Sequence, residues 1–212
     1  MNLANLITVL RFPLLIVVVL LLYYGGAVGP LVDVPLIVAL ILMDSLDGFV
    51  ARRRHEQTLV GSALDIAADR AVEIVLWVTY AQLRLISVII PLTVVIRGAL
   101  TDSIRNVALQ HGQSAHSMMR GRWGRWLVAS GTMRAGYGVA KAIAFTLLAL
   151  AFGLQMRGHT TWHSVWSVAS AVSWLALALC VVRGLPVLIE ARGLFRSAEF
   201  QVAAPSLHRE KA

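Results

Sequence analysis

Between Leu6 and Val182 the chain is mostly a succession of six apolar runs. They lie near Leu6–Tyr24, Leu31–Ala51, Gly61–Leu83, Leu85–Leu109, Val139–Met156 and Trp162–Val182. Each is close to the roughly 20 residues that an α-helix needs to cross the hydrocarbon of a bilayer. A backbone in hydrocarbon must satisfy its own hydrogen bonds, and runs of this length do so as helices. The expected fold is therefore all-α, a polytopic membrane protein with six transmembrane helices. Composition supports this: 58% hydrophobic and 14% charged residues are too apolar a mixture for a water-soluble domain of 212 residues. Helix breakers punctuate the runs, most clearly in Tyr24-Gly-Gly-Ala-Val-Gly-Pro30 and Arg157-Gly-His-Thr-Thr-Trp-His163, with Gln82 and Arg84 marking a shorter connection. No small-residue cleavage site follows the first run, so it reads as a span and not as a signal peptide. Residues 1–190 are expected to form the transmembrane domain, and 191–212 a polar, mobile cytoplasmic tail. The lone Cys180 reads as a small buried hydrophobe.

Charge is distributed unevenly. The connections after spans one, three and five carry Arg84 and Arg157. The other side carries Arg52, Arg53 and Arg54, then Arg105, Arg120, Arg122, Arg125 and Arg134, then Arg183, Arg192, Arg196, Arg209 and Lys211. By the positive-inside rule both termini are cytoplasmic. The formal net charge of +8 then sits against anionic headgroups, where each basic residue gains about 1 kcal/mol. A nucleic-acid partner is not expected, because no binding motif accompanies the charge. In the segment His111–Arg134, Trp123 and Trp126 beside Arg122 and Arg125 suggest a stretch lying on the headgroups.

Acidic residues break the apolar pattern at one place. Asp44-Ser-Leu-Asp47-Gly48-Phe-Val-Ala51-Arg52 closes the second run, and Gly61-Ser-Ala-Leu-Asp65-Ile-Ala-Ala-Asp69 opens the third. A centrally placed Asp costs roughly 2.5–3.5 kcal/mol in a span. Asp44 and Asp47 are i,i+3, and Gly61, Asp65 and Asp69 are i,i+4,i+8, so each set shares a helix face. Packed together, close carboxylates repel by about 4 kcal/mol per pair at an effective dielectric near 20. Positive charge must lie between them. Oxygen-only ligands favour Mg²⁺ or Mn²⁺, and four carboxylates suffice for two such ions.

This stretch resembles the CDP-alcohol phosphatidyltransferase family, whose motif is D-x2-D-G-x2-A-R-x8-G-x3-D-x3-D. Asp44, Asp47, Gly48, Ala51, Arg52, Gly61, Asp65 and Asp69 match every fixed position. The resemblance implies transfer of a phosphatidyl group from CDP-diacylglycerol to an alcohol, with release of CMP. It implies that Asp44, Asp47, Asp65 and Asp69 hold two Mg²⁺ or Mn²⁺ ions and that Asp69 is the general base. Gly48, Ala51, Arg52 and Gly61 would bind the CDP-lipid. A homodimer is implied too; the positive-inside rule turns the acidic stretch, as it does both termini, to the cytoplasm, and a bacterial inner membrane is expected. Members also often open with Asn-x-x-Thr-x-x-Arg, matched by Asn5, Thr8 and Arg11. On their own these residues read equally well as a capping Asn and a snorkelling Arg.

Acceptor residues carry a weaker signal. Arg97 and Arg105 are eight residues apart, nearly on one helix face, and can hold a phosphate. Members that make phosphatidylglycerophosphate carry such a pair, usually with Glu after the first Arg; here Gly98 stands there. Arg134 and Lys141 replace the family's Gly-Lys-x-Lys-Thr, and Arg183 is a weaker candidate. The expected acceptor is sn-glycerol 3-phosphate, with inositol phosphate or another alcohol as alternatives. Glu73, outside the motif, is expected to be structural, pairing with Arg70 or with a basic residue of another span, with lining of the cavity as the alternative. A membrane prenyltransferase would show two separated acidic motifs, and a transporter would need acids along a path to the far side.

Overall fold

The computed structural model of the protein describes residues 3–53, 58–110 and 131–202. Among the described residues six helices follow one another: α1 (Leu3–Tyr24), α2 (Gly29–Arg53), α3 (Leu59–Gln82), α4 (Ile89–Gln110), α5 (Gly131–Met156) and α6 (Trp162–Val202). No strand occurs among the described residues. Proline stands inside α1, α2 and α6, at Pro13, Pro35 and Pro186. Membrane helices tolerate this where neighbouring groups satisfy the freed carbonyls.

Several expected boundaries move. Gly29 and Pro30 open α2 and do not belong to the preceding turn; proline suits a first helical turn, where its missing N–H has no partner to lose. α5 begins at Gly131, so residues 131–134 of the expected basic loop are helical. Residues 111–130, with Arg120, Arg122, Trp123, Arg125, Trp126, His111 and His116, lie outside the described residues. α6 runs on to Val202, so the first part of the expected mobile tail is helical. Its run of Leu, Ile, Glu, Ala and Arg has good helix propensity, which accounts for the continuation.

Among the described residues, four stretches are long and apolar enough to cross a membrane: Ala4–Tyr24, Gly29–Val50, Ala135–Met156 and Trp162–Pro186. α3 and α4 do not qualify on that measure, because α3 carries Asp65, Asp69, Arg70 and Glu73 and α4 carries Arg97, Asp102 and Arg105. Large apolar side chains such as Ile16, Leu20, Leu42 and Ile66 are exposed. Such a surface suits lipid, which an apolar side chain meets without cost. These helices and the lipid-facing surface mark an integral membrane protein.

Two compact units are distinguished, Met1–Thr93 with Gly138–Leu177, and Val94–Tyr137 with Ala178–Ala212. In the first, α1 packs on α2 and α3. Its core includes Trp77 and Tyr80 of α3 against Phe145 of α5. The Trp77 and Phe145 rings meet edge-on with centroids 4.6 Å apart. The Tyr80 hydroxyl donates to the Phe145 carbonyl at 2.8 Å, using the second lone pair of a helical carbonyl. Ala144, Ala149, Ala151 and Ala169 are buried around this core, and such small residues let helices approach closely.

Two helix ends in this unit are built alike from different residues. After α5, Gly158 takes φ 67° while His159 N–H returns to the Leu154 carbonyl at 3.0 Å. After α3, Arg84 takes φ 60° while Leu85 N–H returns to the Tyr80 carbonyl at 3.0 Å. This left-handed cap is normally a glycine's. The adjacent Leu85 is buried, and its carbonyl accepts the Trp166 indole N–H at 2.8 Å, which holds the turn from the α6 side.

Candidate functional site

α1 links the acids of α2 to Asp65 of α3. Thr58 caps α3, its hydroxyl accepting the Gly61 N–H at 3.0 Å, so Asp65 and Asp69 fall in the second and third turns. Asp44 and Asp47 ride one face of the last turns of α2. α1 supplies the face that joins them. Thr8 donates its hydroxyl to Asp47 Oδ2 at 2.8 Å. Arg11 Nη1 lies 2.8 Å from Asp44 Oδ1 and 3.6 Å from Asp65 Oδ1. The guanidinium therefore links the two halves of the motif.

Arg11 does not snorkel to the headgroups: its side chain is 2% exposed. A buried guanidinium needs counter-charge, and two carboxylates from different helices supply it. Asn5 is not a cap either, since α1 begins at Leu3. A Cβ on Gly61 would come 2.5 Å from Asn5 Oδ1, so glycine there lets α3 approach α1 closely. The even spacing of Asn5, Thr8 and Arg11 was the sequence signal for this face; their partners were not visible in it.

Asp69 faces α5. Lys141 donates to Asp69 Oδ1 at 3.1 Å and lies 3.5 Å from Glu73 Oε2. Glu73 also lies 3.9 Å from Arg70, so the local and the cross-helix basic residue, expected as alternatives, are both its neighbours. Lys141, expected on an acceptor phosphate, lies between two carboxylates.

The donor set is oxygen-only. Asp47 Oδ1 and Asp65 Oδ1 are buried with no hydrogen-bond partner among the described residues. Buried carboxylate oxygens in that condition are costly, and in chemistry they fit a hard divalent cation. Among the described residues, however, no group of three or more acids, histidines or cysteines is already drawn to a common centre. The Arg11 contact with Asp44 is short, but Nη1 makes no hydrogen bond there. The pair is held by charge more than by alignment.

Gly48 is half-buried on α2. The side chains of Ala51, Arg52, Arg105 and Arg134 lie outside the described residues. In the second unit, a Cβ on Gly184 would come 2.8 Å from Arg97 Nε, so Arg97 lies across α6 at Gly184. That Nε is buried without a hydrogen-bond partner among the described residues. Arg183 beside it places its guanidinium 5.8 Å from the centre of the Tyr137 ring, within cation–π range.

The sequence reading passed over Asp33. It is fully buried in α2, and neither oxygen has a hydrogen-bond partner among the described residues. Eleven residues separate it from Asp44, about 16 Å along a helix. An Asp inside an apolar run, two residues before Pro35, was the signal.

A family model described as CDP-alcohol phosphatidyltransferase matches residues 1–182. The match takes in α1–α5, the whole acidic motif and most of the apolar part of α6. Among curated proteins, none matches the chain.

Proposed function

This chain belongs to the CDP-alcohol phosphatidyltransferase family, and from that premise we propose that it transfers the phosphatidyl group of CDP-diacylglycerol to sn-glycerol 3-phosphate. The family implies a CDP-alcohol donor, an alcohol acceptor and membrane phospholipid synthesis. The observation that carries the reading to this site is Arg11 between Asp44 and Asp65, one acid from each half of the motif, with buried oxygens of Asp47 and Asp65 lacking a hydrogen-bond partner among the described residues.

In this reading Asp44, Asp47, Asp65 and Asp69 hold two Mg²⁺ or Mn²⁺ ions. When bound, the ions supply charge neutralisation for the diphosphate and for the departing CMP. Asp69 takes the proton of the acceptor hydroxyl as its oxygen attacks the phosphatidyl phosphorus. The phosphorus–oxygen bond to CMP breaks, and CMP leaves with the bonding pair. Gly48, Ala51, Arg52 and Gly61 bind the CDP-lipid. Arg97, Arg105 and Arg134 are the proposed contacts for an acceptor phosphate, since planar guanidinium groups suit phosphate geometry. Inositol phosphate is the alternative acceptor of the same chemical type.

All six helices cross the membrane in this proposal, α3 and α4 with their charges turned inward, as intramembrane charges usually are. Both termini and the acidic motif face the cytoplasm, in a bacterial inner membrane, and the protein is a homodimer. The test is CMP release from CDP-diacylglycerol by purified protein with Mg²⁺ or Mn²⁺. Glycerol 3-phosphate, inositol phosphate, serine and choline are offered separately. Release with glycerol 3-phosphate alone is expected. Release only with another alcohol moves the acceptor assignment, and no release with any acceptor from folded, metal-supplied protein overturns the reading.

A further inference from the structure

Lys141 joins two carboxylates of very different exposure. Its ammonium lies 3.1 Å from Asp69 Oδ1 and 3.5 Å from Glu73 Oε2, while the Asp69 side chain is 45% exposed and that of Glu73 only 3%. Asp69 and Glu73 are i,i+4 on α3, so one ammonium on α5 can meet both. The motif does not call for a fifth acid, and a carboxylate in an apolar helix is costly. What Glu73 does at that depth is meet Lys141 and Arg70.

An ammonium is a compact charge with three donors on a flexible four-carbon stem. Free, it samples many rotamers and fixes nothing. With Glu73 engaging it from the buried side, it presents a donor to Asp69 from a constant direction. We propose that Glu73 and Lys141 are positioning residues for Asp69: Glu73 anchors the ammonium, and the ammonium orients the Asp69 carboxylate toward the acceptor hydroxyl. The proposal rests on the assignment of Asp69 as general base. It takes Lys141 away from the acceptor phosphate. It also sets Lys141 in competition with any cation for Asp69 Oδ1, because like charges at one oxygen repel.

The experiment uses the full-length purified protein. Turnover and KM for CDP-diacylglycerol and glycerol 3-phosphate are measured for Glu73→Gln, Lys141→Met, Lys141→Arg and the Glu73→Gln/Lys141→Met pair. Mn²⁺ binding is followed separately by paramagnetic resonance, without substrates. Each charge-removing single variant should lower kcat by about 10- to 100-fold at nearly constant KM, the loss expected of a misoriented base. The pair should lose no more than the worse single variant, because the residues act as one unit. Lys141→Arg should recover most of the rate. Mn²⁺ should bind Lys141→Met several-fold more tightly.

A raised acceptor KM with kcat preserved in Lys141→Met would restore the phosphate-contact reading and overturn this one. So would multiplicative losses in the pair, or Mn²⁺ binding that is unchanged or weaker. If Glu73→Gln does not fold, the pair, in which both charges leave together, is compared with Lys141→Met alone; a lower rate in the pair overturns the proposal. Wild-type protein that releases no CMP defeats the functional reading instead, and the Mn²⁺ titration then still decides whether Lys141 competes at Asp69.

Discussion

α3 obeys two different rules along its length. From Gly61 to Glu73 it carries three acids beside the buried Ala68 and Val72, and each acid is answered by a group on another helix: Asp65 by Arg11, and Asp69 and Glu73 by Lys141. From Leu76 to Tyr80 it buries Leu76, Trp77, Thr79 and Tyr80, with Trp77 and Tyr80 packed on Phe145 and the Tyr80 hydroxyl bonded to the Phe145 carbonyl. The first half is held by charges that remain partly exposed, the second by shape and dispersion in a dry core. Charge balance leaves oxygens unsatisfied and ready for a ligand. The aromatic half leaves few groups to bind anything, and its work is to hold the helices that carry the acids. In the proposed reading, function and stability occupy successive turns of one helix and should separate under mutation.

The sharpest break is Asp69→Asn. It keeps the shape and removes the proton acceptor, so CMP release should fall by about 10²–10⁴-fold, while the melting temperature in detergent stays within a few degrees. Near-normal turnover would remove Asp69 from the base role. Phe145→Ala tests the other half. Emptying the space under Trp77 and Tyr80 should cost about 3–5 kcal/mol of stability, read as an early thermal transition, with kcat retained by the fraction still folded at low temperature. A kcat loss that outruns the loss of folded protein would show that the two halves are coupled.

Arg11→Met should erase the division. It leaves Asp44 and Asp65, whose side chains are 41% and 49% exposed, without the cation between them, at a cost of about 1–2 kcal/mol once solvent screening is counted, and it disorders the motif as well. Stability and turnover should fall together. Arg11→Lys should recover only part of either, because a compact ammonium does not span two carboxylates as a guanidinium does. Loss of turnover at full stability would instead make Arg11 a substrate contact. The smallest expected effect is Tyr80→Phe. It deletes the hydroxyl bond to the Phe145 carbonyl, for about 1 kcal/mol, with kcat unchanged in the CMP assay.

Much of this was legible in the chain itself because helix geometry converts spacing into faces. The runs that became α1–α6, the shared face of Asp44 and Asp47, the stripe of Asp65, Asp69 and Glu73, and the alignment of Asn5, Thr8 and Arg11 all follow from 3.6 residues per turn. The motif at these positions was enough to point to the family. Helix ends were less legible. The continuation of α6 to Val202 and the left-handed Arg84 depend on what the chain meets after the turn, which local propensity does not contain.

What only the tertiary structure decided is which charge answers which. Arg11 could snorkel or be buried; it is buried because α2 and α3 bring Asp44 and Asp65 to it from positions far along the chain. Lys141 could meet a phosphate or an acid; it meets Asp69 and Glu73 because α5 packs on α3. Asp33 became notable only once its burial was seen. An ion pair is a property of two surfaces in contact, and a sequence specifies each surface long before it shows which ones touch.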